Sequence, residues 1–133
     1  MGLKYELNKK KDNEFFLIQG YKKARFFIKI DYSEDWIKTY CLVLPAELID
    51  DYKRFPLYTE LLLQNKIESD LTYSIDEEGN VYSENDCPAS ANYESFKSEY
   101  KMAIKGIHII LEKICPKIEL TLVDTTMGIR EVK

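Results

Sequence analysis

The stretch that decides the fold is residues 92–116, which read NYESFKSEYKMAIKGIHIILEKICP. Apolar residues recur in it at spacings of three and four residues, which is the period of one helix face. They are Tyr93, Phe96, Tyr100, Ile104, Ile107, Leu111 and Ile114. Asn92 can cap the first turn, and Pro116 cannot continue the last one. The stretch therefore predicts an amphipathic helix of about six turns that buries one stripe against another layer of structure.

A β-hairpin is predicted upstream of this helix. Residues 71–75, LTYSI, alternate between apolar and polar side chains, and residues 81–84, VYSE, resume the alternation. Between them lie residues 76–80, DEEGN, whose acidic, Gly and Asn residues favour a tight turn. We expect a loop at residues 88–92 to lead from the hairpin into the helix.

An earlier helix is predicted at residues 45–65, where Glu47 places negative charge in the first turn. Pro56 has no backbone N–H to donate, so we expect two helical pieces or a kink near Phe55. Asn65 is expected to end the second piece.

The first third of the chain predicts strands separated by short polar turns. The strands are expected at residues 3–7, 15–18, 25–30 and 36–44, and the turns at residues 9–13, 20–23 and 31–35. A last alternating run, residues 118–122, predicts a final strand. The order is then β-β-β-β-α-β-β-α-β, with connections short enough for antiparallel pairing. We expect an α+β fold, in which an antiparallel sheet (a meander plus the hairpin) packs against two helices, as a single domain over residues 1–133.

Composition narrows the class of protein. The 133 residues are 45% hydrophobic and 32% charged, which suits one folded domain with a substantial core. No apolar run is long enough to cross a bilayer, and the first residues lack the apolar segment of a signal peptide. We therefore expect a cytoplasmic protein with no membrane contact.

Cofactor and metal sites are not expected. Cys41, Cys87 and Cys115 are widely spaced, form no C-x-x-C motif and share the chain with one His, so a zinc site is disfavoured. Only five Gly residues are present, and neither common phosphate-cradling Gly motif occurs. The simplest interpretation of the cysteines is three free thiols.

A small Cys/His-dependent enzyme is one alternative. His108 is the only imidazole, and either Cys115 or Cys87 would have to be the nucleophile. However, His108 lies on the helix after Lys105 and before Glu112, which is the spacing of a solvated polar stripe. Cys115 follows His108 by about two turns, roughly 10 Å along the axis, which is too far for direct contact. The sequence favours a protein that is not an enzyme.

A nucleic-acid-binding module is the other alternative. Residues 1–25 carry seven Lys or Arg against three Asp or Glu, whereas residues 68–99 carry one Lys against nine Asp or Glu. The basic residues in 4–25 would contact phosphates, and aromatic side chains would stack on bases. Those aromatic residues are Phe15, Phe16, Phe26 and Phe27. The acidic hairpin region would repel a phosphate backbone, so nucleic acid is disfavoured as a partner.

Residues 57–111 resemble the type III secretion chaperone-like fold, including the bacterial sensory transduction regulator proteins that share it. The resemblance lies in the order of the segments: the leucine-rich run 57–65 ending in Asn, the hairpin LTYSIDEEGNV at 71–81, a polar loop, and the long helix with Phe96, Ile104 and Ile107. The chain departs from the classical chaperones by beginning with strands rather than a helix.

The resemblance implies a compact α+β protein, often a homodimer, that works by holding another protein. Classical secretion chaperones wrap an extended client segment around apolar patches, and the fold group supplies no catalytic residues. We therefore predict a non-enzymatic protein-binding or chaperone-like module whose partner is another protein or a second copy. Aromatic residues on the predicted strands are its candidate partner contacts. They are Phe26, Phe27, Trp36, Tyr40, Tyr73 and Tyr82.

Overall fold

A six-stranded antiparallel sheet occupies most of the described chain. The computed structural model describes residues 8–11, 14–21, 24–68 and 70–120. The strands are β1 (Asn8–Lys11), β2 (Glu14–Tyr21), β3 (Ala24–Tyr32), β4 (Trp36–Leu44), β5 (Thr72–Ile75) and β6 (Val81–Pro88). Their spatial order is β1-β2-β3-β4-β6-β5, and every neighbouring pair is antiparallel. The predicted α+β class, with a meander plus a hairpin, is confirmed.

Two 17-residue helices accompany the sheet: α1 (Asp51–Ile67) and α2 (Tyr93–Ile109). A 3₁₀ turn, Ala46–Leu48, precedes α1, and α2 continues into a π-helical turn, Ile110–Ile114, and a last helical turn, Cys115–Lys117. Asn92 caps α2 as predicted, because its side-chain oxygen accepts the Ser95 N–H at 2.8 Å.

The predicted division into two helical pieces near Phe55 is wrong, because α1 runs through Pro56 as one helix. The break falls earlier, at Ile49 and Asp50, which have extended backbone between the 3₁₀ turn and α1. Pro56 removes a single backbone donor from the second turn of the helix, and its neighbour Leu57 is fully buried in the core. Asn65 does not end the helix either, since α1 continues to Ile67.

The bounds of the first strands also differ from those predicted. Lys9 to Lys11 belong to β1 rather than to a turn, and β2 extends through Gly20 and Tyr21. The strand predicted at residues 3–7 lies outside the described residues. β4 has the predicted bounds.

The start of the predicted last strand is a turn. The Leu120 N–H donates to the Cys115 carbonyl at 2.9 Å, and the Glu119 N–H donates to the Pro116 carbonyl at 3.2 Å. Glu119 has a φ of 56°, so these bonds form a Schellman-type helix end with Glu119 where Gly is usual. Ile118 and Leu120 pack against the core on this turn, which explains their alternation. Residues 121 and 122 lie outside the described residues.

The inner face of the sheet, defined here as the face that packs on α2, contains the core. One row of directly opposed residues crosses five strands: Leu17, Ile28, Cys41, Ser83 and Tyr73. Its partners from the helices include Leu57 and Leu61 of α1 and Ile107 of α2. The opposite face of the sheet, called the outer face below, presents the alternate side chains.

The packing of α2 on the sheet is closest at Gly106. A Cβ at this position would overlap the Ser83 side chain. The Ser83 hydroxyl donates to the Ala103 carbonyl at 2.9 Å, and the Tyr73 hydroxyl donates to the Gly106 carbonyl at 2.7 Å. Gly106 therefore lets two buried hydroxyls reach the helix backbone, which fixes α2 over β5 and β6.

Candidate protein-binding surfaces

The outer face of the sheet carries an apolar row beside an amphipathic row. In the apolar row Ile18 lies opposite Phe27, and Leu42 lies opposite Tyr82. The next row contains Phe16, Lys29, Tyr40, Glu84 and Thr72. Within the described ranges, both helices pack against residues of the inner face. The large side chains of the outer face are half-buried, because they pack against one another within the sheet.

Aromatic contacts order this outer face. The rings of Phe16 and Phe27 meet edge to face, with centroids 6.4 Å apart. The Lys29 ammonium lies 5.0 Å from the Tyr40 ring centroid. Burial, and then the neighbouring carboxylate Glu84, raise the pKa of Tyr40, so its hydroxyl stays protonated.

The second candidate surface is an exposed apolar stripe on α1. Tyr52, Phe55, Leu62 and Ile67 are between 70% and 82% exposed. Leu63, which lies in the same stripe, is also exposed. These residues recur at helical spacing on the side of α1 opposite the buried leucines at 57 and 61. Contiguous exposed apolar residues on a surface helix make this stripe a candidate binding surface.

Thr59 lies in the middle of this α1 stripe. Its hydroxyl donates to the Phe55 carbonyl one turn back, at 2.8 Å. Because the hydroxyl is satisfied inside the helix, Thr59 adds no unpaired donor to the stripe. Thr59 therefore does not interrupt the apolar stripe, whereas the exposed Lys66 places an ammonium group near its end.

The predicted partner contacts divide between the core and the surface. Phe26 is 0% exposed and Tyr73 is 5% exposed, so both pack the core, which corrects their assignment to a partner surface. Phe26 faces inward because β3 alternates, and its neighbour Phe27 faces outward. Phe27, Tyr40 and Tyr82 lie on the outer face, and the exposed Trp36 begins β4 opposite Pro88.

The α1 stripe was not predicted from the sequence, although its signal is present there. Tyr52, Phe55 and Leu62 have helical spacing. However, the break expected near Pro56 separates the first two residues from the third. A continuous helix would have revealed two apolar sides rather than one.

The hairpin tip is tied to the start of α1. Asp76 accepts hydrogen bonds from the Asn80 side chain at 2.9 Å and from the Tyr82 hydroxyl at 3.0 Å. The Asn80 side-chain oxygen accepts the Ala46 N–H at 2.7 Å, and the Tyr58 hydroxyl donates to the Gly79 carbonyl at 3.1 Å. The hydrogen bonds from Asn80 lower the pKa of Asp76. The tip thereby holds β5, β6 and α1 in fixed relation.

Asn65 attaches the other end of α1 to the sheet. Its side-chain oxygen accepts the Tyr73 N–H at 2.7 Å, and its side-chain NH₂ donates to the Tyr73 carbonyl at 3.0 Å. These are the two backbone groups that a further strand would pair with at this point of the β5 edge. Asn65 therefore closes the edge of the sheet at Tyr73.

The candidate nucleophiles are poorly placed for catalysis. Cys115 is buried, and this burial raises the pKa of its thiol to about 12. Cys87 is also buried, and burial followed by the nearby Glu99 raises its pKa. His108 lies on the exposed side of α2, 3.5 Å from Glu112. Thiols that resist ionisation and an imidazole paired elsewhere do not form an activated pair.

The aromatic set expected to stack on nucleic-acid bases is split by the sheet. Phe26 is in the core, and Phe15 stacks on Tyr32 with ring centroids 5.6 Å apart. Phe16 and Phe27 lie on the opposite, outer face. The four rings therefore do not form one stacking platform.

A polar cleft lies beside Thr72, the first residue of β5. It has a volume of about 290 Å³ and is lined by Lys38, Tyr40, Asp70, Thr72, Glu84, Asn85, Asp86 and Glu99. Residues 8–11, 14–21, 24–68 and 70–120 contain no group of three or more His, Cys, Asp or Glu with metal-binding geometry. In the same ranges no helix has both the length and the apolarity needed to cross a membrane.

No family model matches this sequence, and no curated protein matches it either. The fold is similar to that of a chain in the crystal structure of the ExsC–ExsE complex. The likeness has a TM-score of 0.55, covers 73% of this chain and 74% of that chain, and includes 12% identical residues. At this identity the likeness is one of fold alone.

Proposed function

We propose that this chain is a non-enzymatic, chaperone-like protein-binding module that works as a homodimer in the cytoplasm. The observation that carries the proposal is the α1 stripe, because large apolar side chains are exposed there on a helix already anchored by its other side. Roughly 1.5–3 kcal/mol is gained for each such side chain that a partner covers fully. The free thiols Cys41, Cys87 and Cys115 fit the reducing cytoplasm.

A second copy of the chain is the occupant that best fits the α1 stripe. Phe55 and Leu63 lie four residues on either side of Thr59, so two antiparallel helices crossing at Thr59 would bring Phe55 of one copy onto Leu63 of the other. Asp51 would then approach Lys66 of the second helix. The Asp51 side chain is 99% exposed, and the charges near the two helix ends are complementary in this arrangement.

Sedimentation velocity over a concentration series tests self-association. We expect wild type to be dimeric and Phe55→Glu/Leu62→Glu to be monomeric, with at least a tenfold weaker association, because both changes place a charge in the apolar contact. Tyr93→Glu is the control, since Tyr93 is an exposed aromatic residue on α2. A monomeric wild type, or a dimeric double variant, would contradict the α1 interface.

The outer face of the sheet is the surface we propose for a different protein partner. It combines half-buried apolar groups with aromatic residues that also carry hydroxyls, Tyr40 and Tyr82, which suits a protein segment laid over the sheet. The ExsC–ExsE complex shows that a protein with a similar fold occurs in complex with another protein. The burial of the thiols supports a binding role over catalysis.

Affinity capture from the native cells tests this assignment. We expect a protein retained by wild type and by Tyr93→Ser to be lost from Phe27→Thr/Leu42→Thr, because the double variant removes apolar area from the outer face alone. Threonine keeps the strand preference, and circular dichroism confirms that the variant is folded. Equal capture by all three proteins would place the partner elsewhere.

A further inference from the structure

A series of hydrogen bonds joins the outer face of the sheet to the hairpin tip. Its first member is Tyr82, whose ring lies in the apolar row and whose hydroxyl donates to a carboxylate oxygen of Asp76 at 3.0 Å. The same oxygen accepts the Asn80 side-chain NH₂ at 2.9 Å, and the other Asp76 oxygen accepts the Asn80 backbone N–H at 3.0 Å. Asp76 therefore fixes the orientation of the Asn80 side chain relative to Tyr82.

The series continues from Asn80 to the first residue of α1. The Asn80 side-chain oxygen accepts the Ala46 N–H at 2.7 Å, and the Ala46 carbonyl accepts an Arg54 guanidinium N–H at 3.2 Å. The Nε–H of Arg54 donates to an Asp51 carboxylate oxygen at 3.1 Å. Asp51 begins α1, and in the antiparallel helix pair proposed above it approaches Lys66 of the second copy. The hydrogen bonds thus lead from one proposed binding surface to the other.

The hairpin tip also packs directly on α1. Gly79 has a φ of 89°, and a Cβ at this position would lie 2.6 Å from an Arg54 guanidinium nitrogen. Arg54 donates to the Tyr58 hydroxyl at 3.3 Å, and this hydroxyl donates to the Gly79 carbonyl at 3.1 Å. Because all these contacts involve the same tip, displacement of the tip would break them together.

Both proposed partners favour the tip in its position against α1. A protein segment packed over Tyr82 would exclude water from the hydrogen bond to Asp76, and a hydrogen bond shielded from water is stronger. A second copy on the α1 stripe would contact Tyr52, and it orders less of the chain if that end of α1 is already held through Arg54. Two ligands that favour the same state strengthen each other's binding, and the effect is reciprocal.

We propose that a protein segment bound over Tyr82 strengthens self-association through the α1 stripe, and that the hydrogen bonds from Tyr82 to Arg54 provide the connection. The proposal rests on the proposed dimer and on the proposed partner surface, and it adds that each site regulates the other. The dimer is then tighter when the outer face is occupied, and the outer face binds its partner more tightly in the dimer.

Sedimentation velocity of Tyr82→Phe tests the connection without a ligand. The variant keeps the ring in the apolar row and removes only the hydroxyl that Asp76 accepts. We expect its dimer to have about a fivefold higher dissociation constant than the wild-type dimer, although residue 82 is not on α1. Tyr93→Phe is the control, because it removes a hydroxyl from an exposed tyrosine on α2 and should leave the dissociation constant unchanged.

A double-mutant cycle tests whether the hydrogen bonds act as one connection. Asn80→Ala removes the acceptor of the Ala46 N–H and should weaken the dimer at least as much as Tyr82→Phe does. The double variant should be no weaker than Asn80→Ala alone, since both changes interrupt the same series. Additive effects would show that the two residues act separately and would overturn the connection. Circular dichroism verifies that each variant is folded.

A peptide tests the effect of an occupied outer face. The probe is a peptide selected on the intact wild-type protein from a phage-displayed library and not bound by Phe27→Thr/Leu42→Thr. At saturation it should tighten the wild-type dimer about fivefold and leave the Tyr82→Phe dimer unchanged.

The outcomes separate this inference from the function on which it rests. A wild-type dimer unaffected by the peptide, or a Tyr82→Phe dimer as tight as wild type, would overturn the coupling and leave both binding surfaces in place. A monomeric wild type, with or without peptide, would overturn the α1 interface and the coupling with it. Failure to enrich any such peptide would count against the outer face as a partner surface and equally against the coupling.

Discussion

Helices α1 and α2 have the same length but relate differently to the rest of the molecule. α2 buries one stripe against the inner face, and its opposite side carries Lys101, Lys105 and His108. α1 buries only Leu57 and Leu61 and exposes apolar residues on its other side. The apolar side chains of α2 are covered within the fold, whereas those on the second side of α1 are exposed. α2 thus explains the architecture, and α1 provides the surface on which the proposed function rests.

Leu61 and Leu62 give the largest expected contrast, because adjacent residues lie on opposite sides of α1. Leu61 is 3% exposed and Leu62 is 70% exposed. Leu61→Ala should lower the free energy of unfolding by about 3 kcal/mol, through lost burial and the cavity left behind. Leu62→Ala should change monomer stability by less than about 0.5 kcal/mol. Urea unfolding at low protein concentration measures both, and similar losses would show that α1 does not have two distinct sides.

Gly106 tests the close packing of α2. Gly106→Ala should cost about 2–3 kcal/mol in urea unfolding, because the added Cβ overlaps Ser83 and separates the helix from the sheet. Gly20→Ala is the matched control, since a Cβ at Gly20 meets nothing within 4 Å. A Gly106→Ala variant as stable as Gly20→Ala would mean that α2 packs less tightly than described.

Asn65 tests how α1 is held against the sheet. Asn65→Ala removes both hydrogen bonds to Tyr73 and should lower the free energy of unfolding by about 1–2 kcal/mol. Asn65→Asp keeps the acceptor for the Tyr73 N–H and should recover part of the loss. Amide hydrogen exchange at Tyr73 should speed up in the Ala variant, and unchanged exchange would refute the contact.

Asp76 gives the smallest expected effect, which depends on pH. Its folded-state pKa is lowered, first by its hydrogen bond from Asn80. The stabilisation is therefore complete above the unfolded pKa of an Asp and is lost as the pH falls through the lower folded value. Asp76→Asn should make unfolding less sensitive to acid in that range. An identical pH profile in thermal unfolding would show that the carboxylate does not hold the hairpin tip.

The predictions from the sequence were most accurate where a single hydrophobic period dominates a segment. α2 has a single apolar stripe, the hairpin has a clear turn, and β4 is bounded by Pro45, so these elements lie where expected. Prediction failed where two signals competed. The Lys-rich β1 has turn composition, and Pro56 masked the continuity of α1. Phe26 and Phe27 are both apolar, so alternation alone could not show which one faces the core.

The candidate site was harder to predict, because it depends on which side chains the assembled fold leaves exposed. Whether Leu62 or Leu61 is exposed follows from the direction in which α1 meets β5, which no local pattern specifies. The cleft depends on the unequal lengths of β5 and β6. Such features arise from the assembly of elements, and only the structure shows them.

The contact of Asn65 with Tyr73 also has a consequence for aggregation. A bare strand edge invites the β-strands of other molecules to add on and can start a fibre. A single amide side chain occupies the place of an incoming strand at Tyr73, so growth of the sheet from that point is blocked. If the face of the sheet binds other chains as proposed, this contact keeps the same chains from adding to the sheet at Tyr73.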